Sequence, residues 1–304
     1  MPISPAEQRL ATFLSPAFKK EAFRVDRSRP LTFVCGGNDH NGVSALRLQF
    51  LAHLAGSAPP ILPVLAEKAF PHQLIERNLQ RFEEFLASAA DCVLIFVESP
   101  GSFAETGLFA GLPAVMEKTF VVNTRNESHE NSFLTLGPIK LIRKESLFDD
   151  VFELEGEVVT AQEAQGIVNT IIKTLPRYEN ALVFHPTHKF TELEVRLQLA
   201  CVQMTVALLW AGSARLITSI LREHFKAVET ETIERFLSLL TSIDALGRQD
   251  ELYFYPKAEA FKDDVLICSA HFSVEGVKAQ SLGWQVKNNS QVAVFLREQR
   301  KIDI

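Results

Sequence analysis

The stretch Cys92–Gly111, CVLIFVESPGSFAETGLFAG, decides the fold of the first half of the chain. It begins with six consecutive apolar residues, Cys92–Val97, of which three are β-branched. An unbroken run of this kind is typical of a strand buried on both faces of a parallel sheet. Glu98-Ser99-Pro100-Gly101 then ends the strand, and Ser102–Glu105 is predicted to begin a helix.

Strand and helix patterns alternate on both sides of this stretch. The predicted strands are Leu31–Gly37, Ile61–Leu65, Thr119–Val122 and an edge strand within Val151–Val159. The predicted helices are Val43–Ala55, Pro71–Ala90 and Ala161–Leu175. Ser132–Lys144 is predicted to hold a Gly-Pro turn and then a strand-like segment. The alternation indicates an α/β fold with a doubly wound parallel sheet.

The second half of the chain has a different character, with a linker predicted at Pro176–Thr191. Three apolar-faced helices are predicted, at Val195–Trp210, Ser213–Phe225 and Glu231–Leu246, followed by short strands at Glu251–Tyr255 and Val292–Leu296. This order is compatible with a winged helix-turn-helix. We therefore expect two domains, residues 1–180 and a smaller helical, winged-helix-like domain over residues 181–304.

The net charge and the cysteines limit the binding partners that we expect for the protein and the cellular compartment in which we expect it. The 304 residues carry a net charge of −6, which argues against a general binder of nucleic acid or anionic membranes. The third helix of the second half is mainly acidic, so a protein or oligomer contact is favoured there over DNA reading. The four separated cysteines show no metal-ligand spacing, and we expect no metal site. No signal peptide or membrane span is predicted, which indicates a cytoplasmic protein.

Two carboxylates and two hydroxyls follow the strand at Cys92–Val97. Glu98, Ser99, Ser102 and Glu105 lie where ligands bind in open α/β sheets, at a strand's carboxyl end. Two interpretations of Glu105 are open. Ser102-x-x-Glu105 matches a capping box, and an ionised carboxylate near a helix N-terminus also suits covalent attack on a sugar's anomeric carbon. We take Glu105 as the candidate catalytic residue.

A second candidate loop follows the first predicted strand. Gly36 and Gly37 would allow a ligand to approach the backbone closely, and Asn38 begins the polar part of that loop. The letters do not form a dinucleotide-binding fingerprint. Arg47, on the next helix, either contacts a phosphate or is an ordinary solvated arginine.

Three blocks of the chain resemble a known family: Phe33–Gly37 (FVCGG), Ile95–Gly107 (IFVESPGSFAETG) and Ser132–Lys144. The first half is similar to nucleoside 2-deoxyribosyltransferase-like proteins and, more narrowly, to the effector proteins encoded beside bacterial retrons. The second half is similar to them only in general layout.

The resemblance implies that Glu105 is the nucleophile that cleaves an N-glycosidic bond. In this mechanism we expect Glu98 or Ser102 to hold ribose hydroxyls and Glu98 to orient water. The resemblance also implies that Gly36, Gly37 and the Ser99–Ser102 loop, which includes Gly101, line a nucleotide pocket. NAD would be the substrate, with no further cofactor. The implied partners are a reverse transcriptase with its multicopy single-stranded DNA, and further copies of the chain itself.

Two other functions stay open. A deoxyribosyltransferase of nucleoside salvage would exchange bases between deoxynucleosides and ignore NAD. A nucleotide-sensing or scaffold protein would use Glu105 only as a helix cap.

Overall fold

The computed structural model describes residues 4–38, 45–55, 59–69, 79–124, 132–175, 181–256 and 264–299. Its helices are, in chain order, α1 (Pro5–Leu14), α2 (Leu46–Leu54), α3 (Ala66–Ala69), α4 (Leu79–Ala89), α5 (Pro100–Ala110), α6 (Pro113–Met116), α7 (Lys140–Glu145), α8 (Ala161–Thr174), α9 (Val195–Leu209), α10 (Ala214–His224), α11 (Thr230–Ser242), α12 (Val274–Asn288) and α13 (Ser290–Gln299). Its strands are, in chain order, β1 (Phe23–Val25), β2 (Leu31–Cys35), β3 (Leu62–Val64), β4 (Cys92–Phe96), β5 (Thr119–Thr124), β6 (Phe152–Leu154), β7 (Leu182–Val183), β8 (Ala211–Gly212), β9 (Gly247–Gln249), β10 (Leu252–Phe254) and β11 (Ile267–Ala270). Most of the predicted polar loop after Asn38 and the first part of the predicted helix Pro71–Ala90 lie outside the described residues.

The chain divides into two compact units, residues 28–179 and residues 1–27 together with 180–304. The first 27 residues, which the sequence analysis assigns to the N-terminal domain, therefore belong to the C-terminal unit. The reason is a long-range sheet: β1 pairs antiparallel with both β7 and β11. For the same reason part of the predicted linker is a strand, β7.

Residues 28–179 contain a five-stranded sheet in the order β3-β2-β4-β5-β6, and every neighbouring pair is parallel. The predicted parallel α/β sheet and its edge strand are thus confirmed. Connections leave in opposite directions from β2 and β4, so the switch point of the sheet lies between the carboxyl ends of these two strands. Ligands of open α/β sheets bind at such a point.

Both faces of the sheet are covered by helices. One face packs a cluster that joins alternate strand residues, such as Val34 and Leu94, to Phe50 of α2 and Ile167 of α8. The opposite face receives α5, whose Phe109 meets the ring of Phe33 at 6.2 Å. Burial on both sides explains why β4 is a continuous apolar run and why β2 is apolar except for the buried Thr32.

Two segments predicted as strands are helical. Ser132–Lys144 forms a π-helical turn over Thr135–Ile139 that continues into α7. The wider turn accommodates Pro138, which has no N–H to donate, without ending the helix. Val292–Leu296 lies in α13, where Val292, Phe295 and Leu296 are buried at helical spacing.

The C-terminal unit is built on α9, in which every residue from Arg196 to Leu209 is buried. Helices α10 and α11 pack on it, and β8, β10 and β9 form a small antiparallel sheet in that order. The three predicted helices and the strand at Leu252–Phe254 are confirmed. Among the described residues, no helix combines the length and the apolar character needed to cross a membrane.

Candidate active site

The candidate site is built on the loops that leave β2 and β4. Helix α5 begins at Pro100, and its N-cap is Ser99, whose hydroxyl accepts a hydrogen bond from the N–H of Ser102. The capping box predicted for Ser102 and Glu105 is therefore wrong: the cap is made by Ser99 and Ser102. Because the helix begins two residues earlier than predicted, Glu105 lies in its second turn and is not needed for capping.

Ser102 holds the loop together from inside the protein. Its hydroxyl accepts from the N–H groups of Glu98 (3.1 Å) and Ser99 (3.0 Å) and donates to the carbonyl of Ser99 (2.9 Å). The residue is fully buried, so we assign it to shaping the loop rather than to contacting substrate. Ser99 and Gly101 remain at the surface of this loop.

Glu98 connects the two loops. Its carboxylate accepts from the N–H of Gly37 (2.8 Å) and from the N–H groups of Leu46 (2.6 Å) and Arg47 (3.2 Å) at the start of α2. A carboxylate in this position stabilises the helix N-terminus by hydrogen bonds and by its charge. Both oxygens of Glu98 thus accept hydrogen bonds from the backbone. Glu98 therefore joins the loop after β4 to the loop after β2 and to the start of α2, a structural role that we call a brace.

Gly36 and Gly37 lie directly against this brace. A Cβ atom at Gly36 would come within 2.8 Å of both Cβ of Arg47 and Oε1 of Glu98. Real Cβ atoms do not approach so closely, so glycine is required for the β2 loop to reach α2. The sequence predicts that a ligand approaches the backbone at this turn. In the structure, the side chains of Glu98 and Arg47 make the close approach at Gly36.

Arg47 is only 4% exposed, so the ordinary solvated arginine is excluded. Its Nη2 lies 2.9 Å from Oε1 of Glu67 in α3 and donates to Oδ1 of Asn38, and its Nη1 donates to Oε2 of Glu67 (3.2 Å). Asn38 itself is exposed. The guanidinium is therefore a buried positive charge held at the switch point by an acidic side chain of the rim.

Glu105 lies in the second turn of α5, and the thiol of Cys35, the last residue of β2, is among the groups that influence its pKa. The side chain is partly exposed, but its Oε2 is buried and has no hydrogen-bond partner among the described residues. A buried acceptor without a partner is uncommon in folded proteins and is often found at functional sites.

The pKa of Glu105 is raised to about 7. Burial is the main cause, and the carboxylates of Glu83 and Glu67 add to it, whereas the guanidinium of Arg47 and the neighbouring Cys35 thiol act in the opposite direction. Burial thus opposes the effect of the helix N-terminus, which was expected to keep this carboxylate ionised. A carboxyl with a pKa near 7 gains or loses its charge near neutral pH, which suits a group that changes charge during a reaction.

Three residues of the site were missed by the sequence analysis: Cys35, Glu67 and Glu83. Glu83 lies on α4, and burial, followed by the charge of Glu67, raises its pKa. Nothing in its helix distinguishes it from its neighbour Glu84. Cys35, in contrast, is the last residue of an apolar strand and directly precedes Gly36, so its place at the ligand-binding edge could have been predicted. Within the described ranges, no group of three or more His, Cys, Asp or Glu is arranged to hold a metal ion.

The raised pKa of Glu105 has a measurable effect on stability. The folded protein binds this proton more tightly than the unfolded chain, whose carboxyl has its ordinary value of 4.5. The free energy of unfolding should therefore fall as the pH rises from about 4.5 through 7. Glu105→Gln removes this effect, so the variant should be more stable than the wild type at pH 8, by about 1–3 kcal/mol, and not at pH 4.5.

Both tryptophans, Trp210 and Trp284, lie in the other unit, so fluorescence would not report on this one. Amide hydrogen exchange of β2 and β4 at the two pH values is the suitable measurement. The matched control is Glu145→Gln, which removes an exposed carboxylate of the same unit. Equal stabilities of the wild type and the Glu105 variant at both pH values would contradict the raised pKa.

Comparison with known proteins shows the family to which this chain belongs. The family model described as "STM3845 retron effector protein" matches residues 44–248. The Escherichia coli protein named "Retron Ec73 putative ribosyltransferase/DNA-binding protein" is 33% identical over 124 residues. Its Ec86 counterpart from the same organism is 28% identical over 136 residues.

These alignments cover 39% and 41% of this chain and the same shares of the two relatives. The chain is thus aligned with about two fifths of the length of each curated relative. The family model, in contrast, spans 205 of the 304 residues, counted from 44 to 248, and includes β4, α5 and Glu105. On this match, the chain belongs to the family of retron effector proteins.

Proposed function

We propose that this protein is a retron effector that cleaves an N-glycosidic bond of a nucleotide, and that NAD is its substrate. The observation that carries the proposal is the carboxylate of Glu105, which follows β4 at the switch point of the sheet and has one buried oxygen without a hydrogen-bond partner in the described part of the chain. A glycosidase of the retaining type needs a carboxylate at this kind of position to attack the anomeric carbon. The relatives' names, which include ribosyltransferase, describe the same class of bond.

In the first step the ionised carboxylate of Glu105 attacks the anomeric carbon of the nicotinamide ribose. The carbon–nitrogen bond breaks, its electron pair neutralises the pyridinium, and nicotinamide leaves without needing a proton. The result is a glycosyl ester on Glu105. The partly exposed position of the side chain on the ligand-binding edge supports this role.

In the second step water releases ADP-ribose from the ester and regenerates the carboxylate. A base must take a proton from this water. We assign this role to Glu83, because its charge acts directly on Glu105 and its half-buried carboxyl has a raised pKa. Glu98, which was predicted to orient the water, is held by three backbone N–H groups and serves to brace the loops.

The remaining predicted substrate contacts belong to the rim of the site. We propose that Gly36, Gly37, Asn38, Ser99 and Gly101, which follow the ends of β2 and β4, line this rim. Arg47 supplies a positive charge at the switch point, and a diphosphate would compete with Glu67 for it. Deoxyribosyl transfer between nucleosides is the second candidate function, because it uses the same attack by Glu105 and needs no contact with a phosphate.

The family membership supports a wider proposal on context. We place the protein in phage defence, inhibited by a reverse transcriptase with its multicopy single-stranded DNA and forming homo-oligomers. In the C-terminal unit the order α9-β8-α10-α11-β9-β10, with β10 between β8 and β9, supports a winged helix. Its α11 carries Glu231 and Glu234 against one arginine, which favours a contact with protein.

The test is to incubate the purified protein, alone and with its retron partners, with NAD and with pairs of deoxynucleosides and free bases. Release of nicotinamide from NAD supports the proposal. Base exchange without nicotinamide release would instead identify a salvage transferase. Release of neither, with and without partners, would reject catalysis.

A further inference from the structure

The side chain of Arg47 lies directly against the loops of the switch point. A Cβ atom built on Gly36 would come within 2.8 Å of Cβ and 3.2 Å of Cδ of Arg47. The backbone N–H of Arg47 donates to the carboxylate of Glu98. The guanidinium is therefore a nearly desolvated positive charge at the edge where open α/β sheets bind ligands. A buried charge of this kind requires an anionic partner.

Glu67 of α3 is this anionic partner, and it holds the guanidinium as a phosphate would. Nη2 of Arg47 lies 2.9 Å from Oε1 of Glu67, and Nη1 donates to Oε2 at 3.2 Å. Arginine makes the same two-pronged contact with carboxylates and with phosphates. Glu67 thus occupies the position on Arg47 that a phosphate group of a substrate would take.

The two partners of this ion pair differ in exposure. The side chain of Glu67 is 46% exposed and lies on a helix of four residues, whereas that of Arg47 is 5% exposed. A half-exposed carboxylate gains hydration when it leaves the pair, but the guanidinium stays buried and needs another anion. In addition, Nε of Arg47 is buried and has no hydrogen-bond partner among the described residues. The protein therefore does not saturate the donors of this side chain.

We propose that Glu67 is an internal substitute for a substrate phosphate, and that its displacement from Arg47 selects phosphorylated nucleotides over nucleosides. This inference rests on the proposed function, because it concerns the substrate class of the same site. A diphosphate carries more negative charge than a carboxylate and replaces it on the guanidinium. A nucleoside has no group that can do this, so it gains nothing from Arg47. Arg47 and Glu67 are thus specificity-determining residues, and Glu105 remains the residue that reacts.

The first test measures the binding of inorganic pyrophosphate by isothermal titration calorimetry at pH 8 and constant ionic strength. Glu67→Gln removes the competing charge, so this variant should bind pyrophosphate about tenfold more tightly than the wild type. The matched control Glu145→Gln also removes one negative charge from the same unit and should stay within about twofold of the wild type. Arg47→Lys keeps the charge but not the two-pronged contact, and should bind about tenfold more weakly.

A gain of affinity does not result from misfolding, so Glu67→Gln keeps the test decisive even if the Arg47 variant is unstable. The inference is overturned if the wild type and Glu67→Gln bind pyrophosphate equally. It is also overturned if Glu145→Gln shows the same gain, or if no variant binds pyrophosphate.

The second test compares two substrates with the same scissile bond, NAD and nicotinamide riboside, of which the riboside has no phosphate. At pH 8, Glu67→Gln should lower KM for NAD by about threefold or more with little change in kcat, and should leave KM for the riboside unchanged. An equal change for both compounds would overturn the inference. Tighter pyrophosphate binding by Glu67→Gln in a protein that cleaves neither compound would reject the proposed function and leave the phosphate site established. Cleavage of NAD with KM and pyrophosphate binding both unchanged in Glu67→Gln would support the proposed function and reject this inference.

Discussion

Replacing Glu105 with Gln is expected to lower kcat for nicotinamide release from NAD by about a thousandfold or more, since loss of a nucleophile is among the largest single-residue effects in enzymes. An amide cannot form the glycosyl ester. Its size is nearly that of the carboxylate, so α5 and the cap made by Ser99 should remain intact. Initial rates should be measured near pH 8, where the wild-type carboxyl is mainly ionised.

Binding and chemistry can be separated in the same experiment. Glu105→Gln should still bind NAD, with a Kd within about tenfold of the wild type, because the change removes a negative charge but no contact of the rim. The control Glu145→Gln should retain full activity. A 2′-fluoro analogue of NAD that slows the second step should add one glycosyl group to Glu105 in the wild-type protein only. A Glu105 variant whose rate falls less than tenfold would exclude the nucleophile assignment.

The sheet could be predicted because its central strands can be recognised from one property of the sequence, which is a run of apolar residues. Strands β2 and β4 are buried on both faces, so their apolar runs, interrupted only by Thr32 in β2, identify them in the sequence. The ligand-binding edge follows from the strand direction, which correctly predicted Glu98 in the loop after β4 and Glu105 in the helix that follows it. The predictions that went wrong, at Ser132–Lys144 and Val292–Leu296, relied on local propensity. In both segments helical packing of the buried residues overrides β-branching or an internal proline.

The division of roles within the site depends on contacts that are distant in sequence. Glu98 meets Gly37 across 61 residues and Leu46 across 52, so its role as a brace could not be seen in the loop ESPGS. Glu83 and Glu67 come from two other helices and act on Glu105 through burial and charge. The first 27 residues, likewise, join the C-terminal unit through strand pairing that no local pattern indicates.

The two carboxylates that follow β4, Glu98 and Glu105, are the same type of side chain. They therefore differ only in their surroundings in the fold. Glu98 is surrounded by backbone donors, which hold a charged carboxylate in place. Glu105 is desolvated by burial and has acidic neighbours, and both raise its pKa. Two carboxyl groups with such different surroundings are suited to different tasks, one to structure and one to chemistry. The structural role of Glu98 predicts a second large effect, which is on the free energy of unfolding.

Replacing Glu98 with Ala is expected to lower the free energy of unfolding of residues 28–179 by about 3 kcal/mol or more. Three backbone N–H groups lose a charged acceptor, and those of Leu46 and Arg47 have no partner within the first turn of α2. Glu98→Gln keeps one acceptor oxygen but turns an NH2 group toward a donor, so a loss of about 2 kcal/mol is expected. Urea unfolding followed by far-UV circular dichroism measures both variants.

The same variants decide between a brace and a catalytic group. If Glu98 acts as a brace, amide hydrogen exchange at Gly37, Leu46 and Arg47 should accelerate in parallel with the loss of activity, and the loss should be smaller in Glu98→Gln than in Glu98→Ala. If Glu98 takes part in the chemistry, kcat should fall by two orders of magnitude or more in Glu98→Gln while these three amides stay protected. The second result would return Glu98 to the catalytic role predicted from its place after β4 and would remove the reason for assigning the base to Glu83.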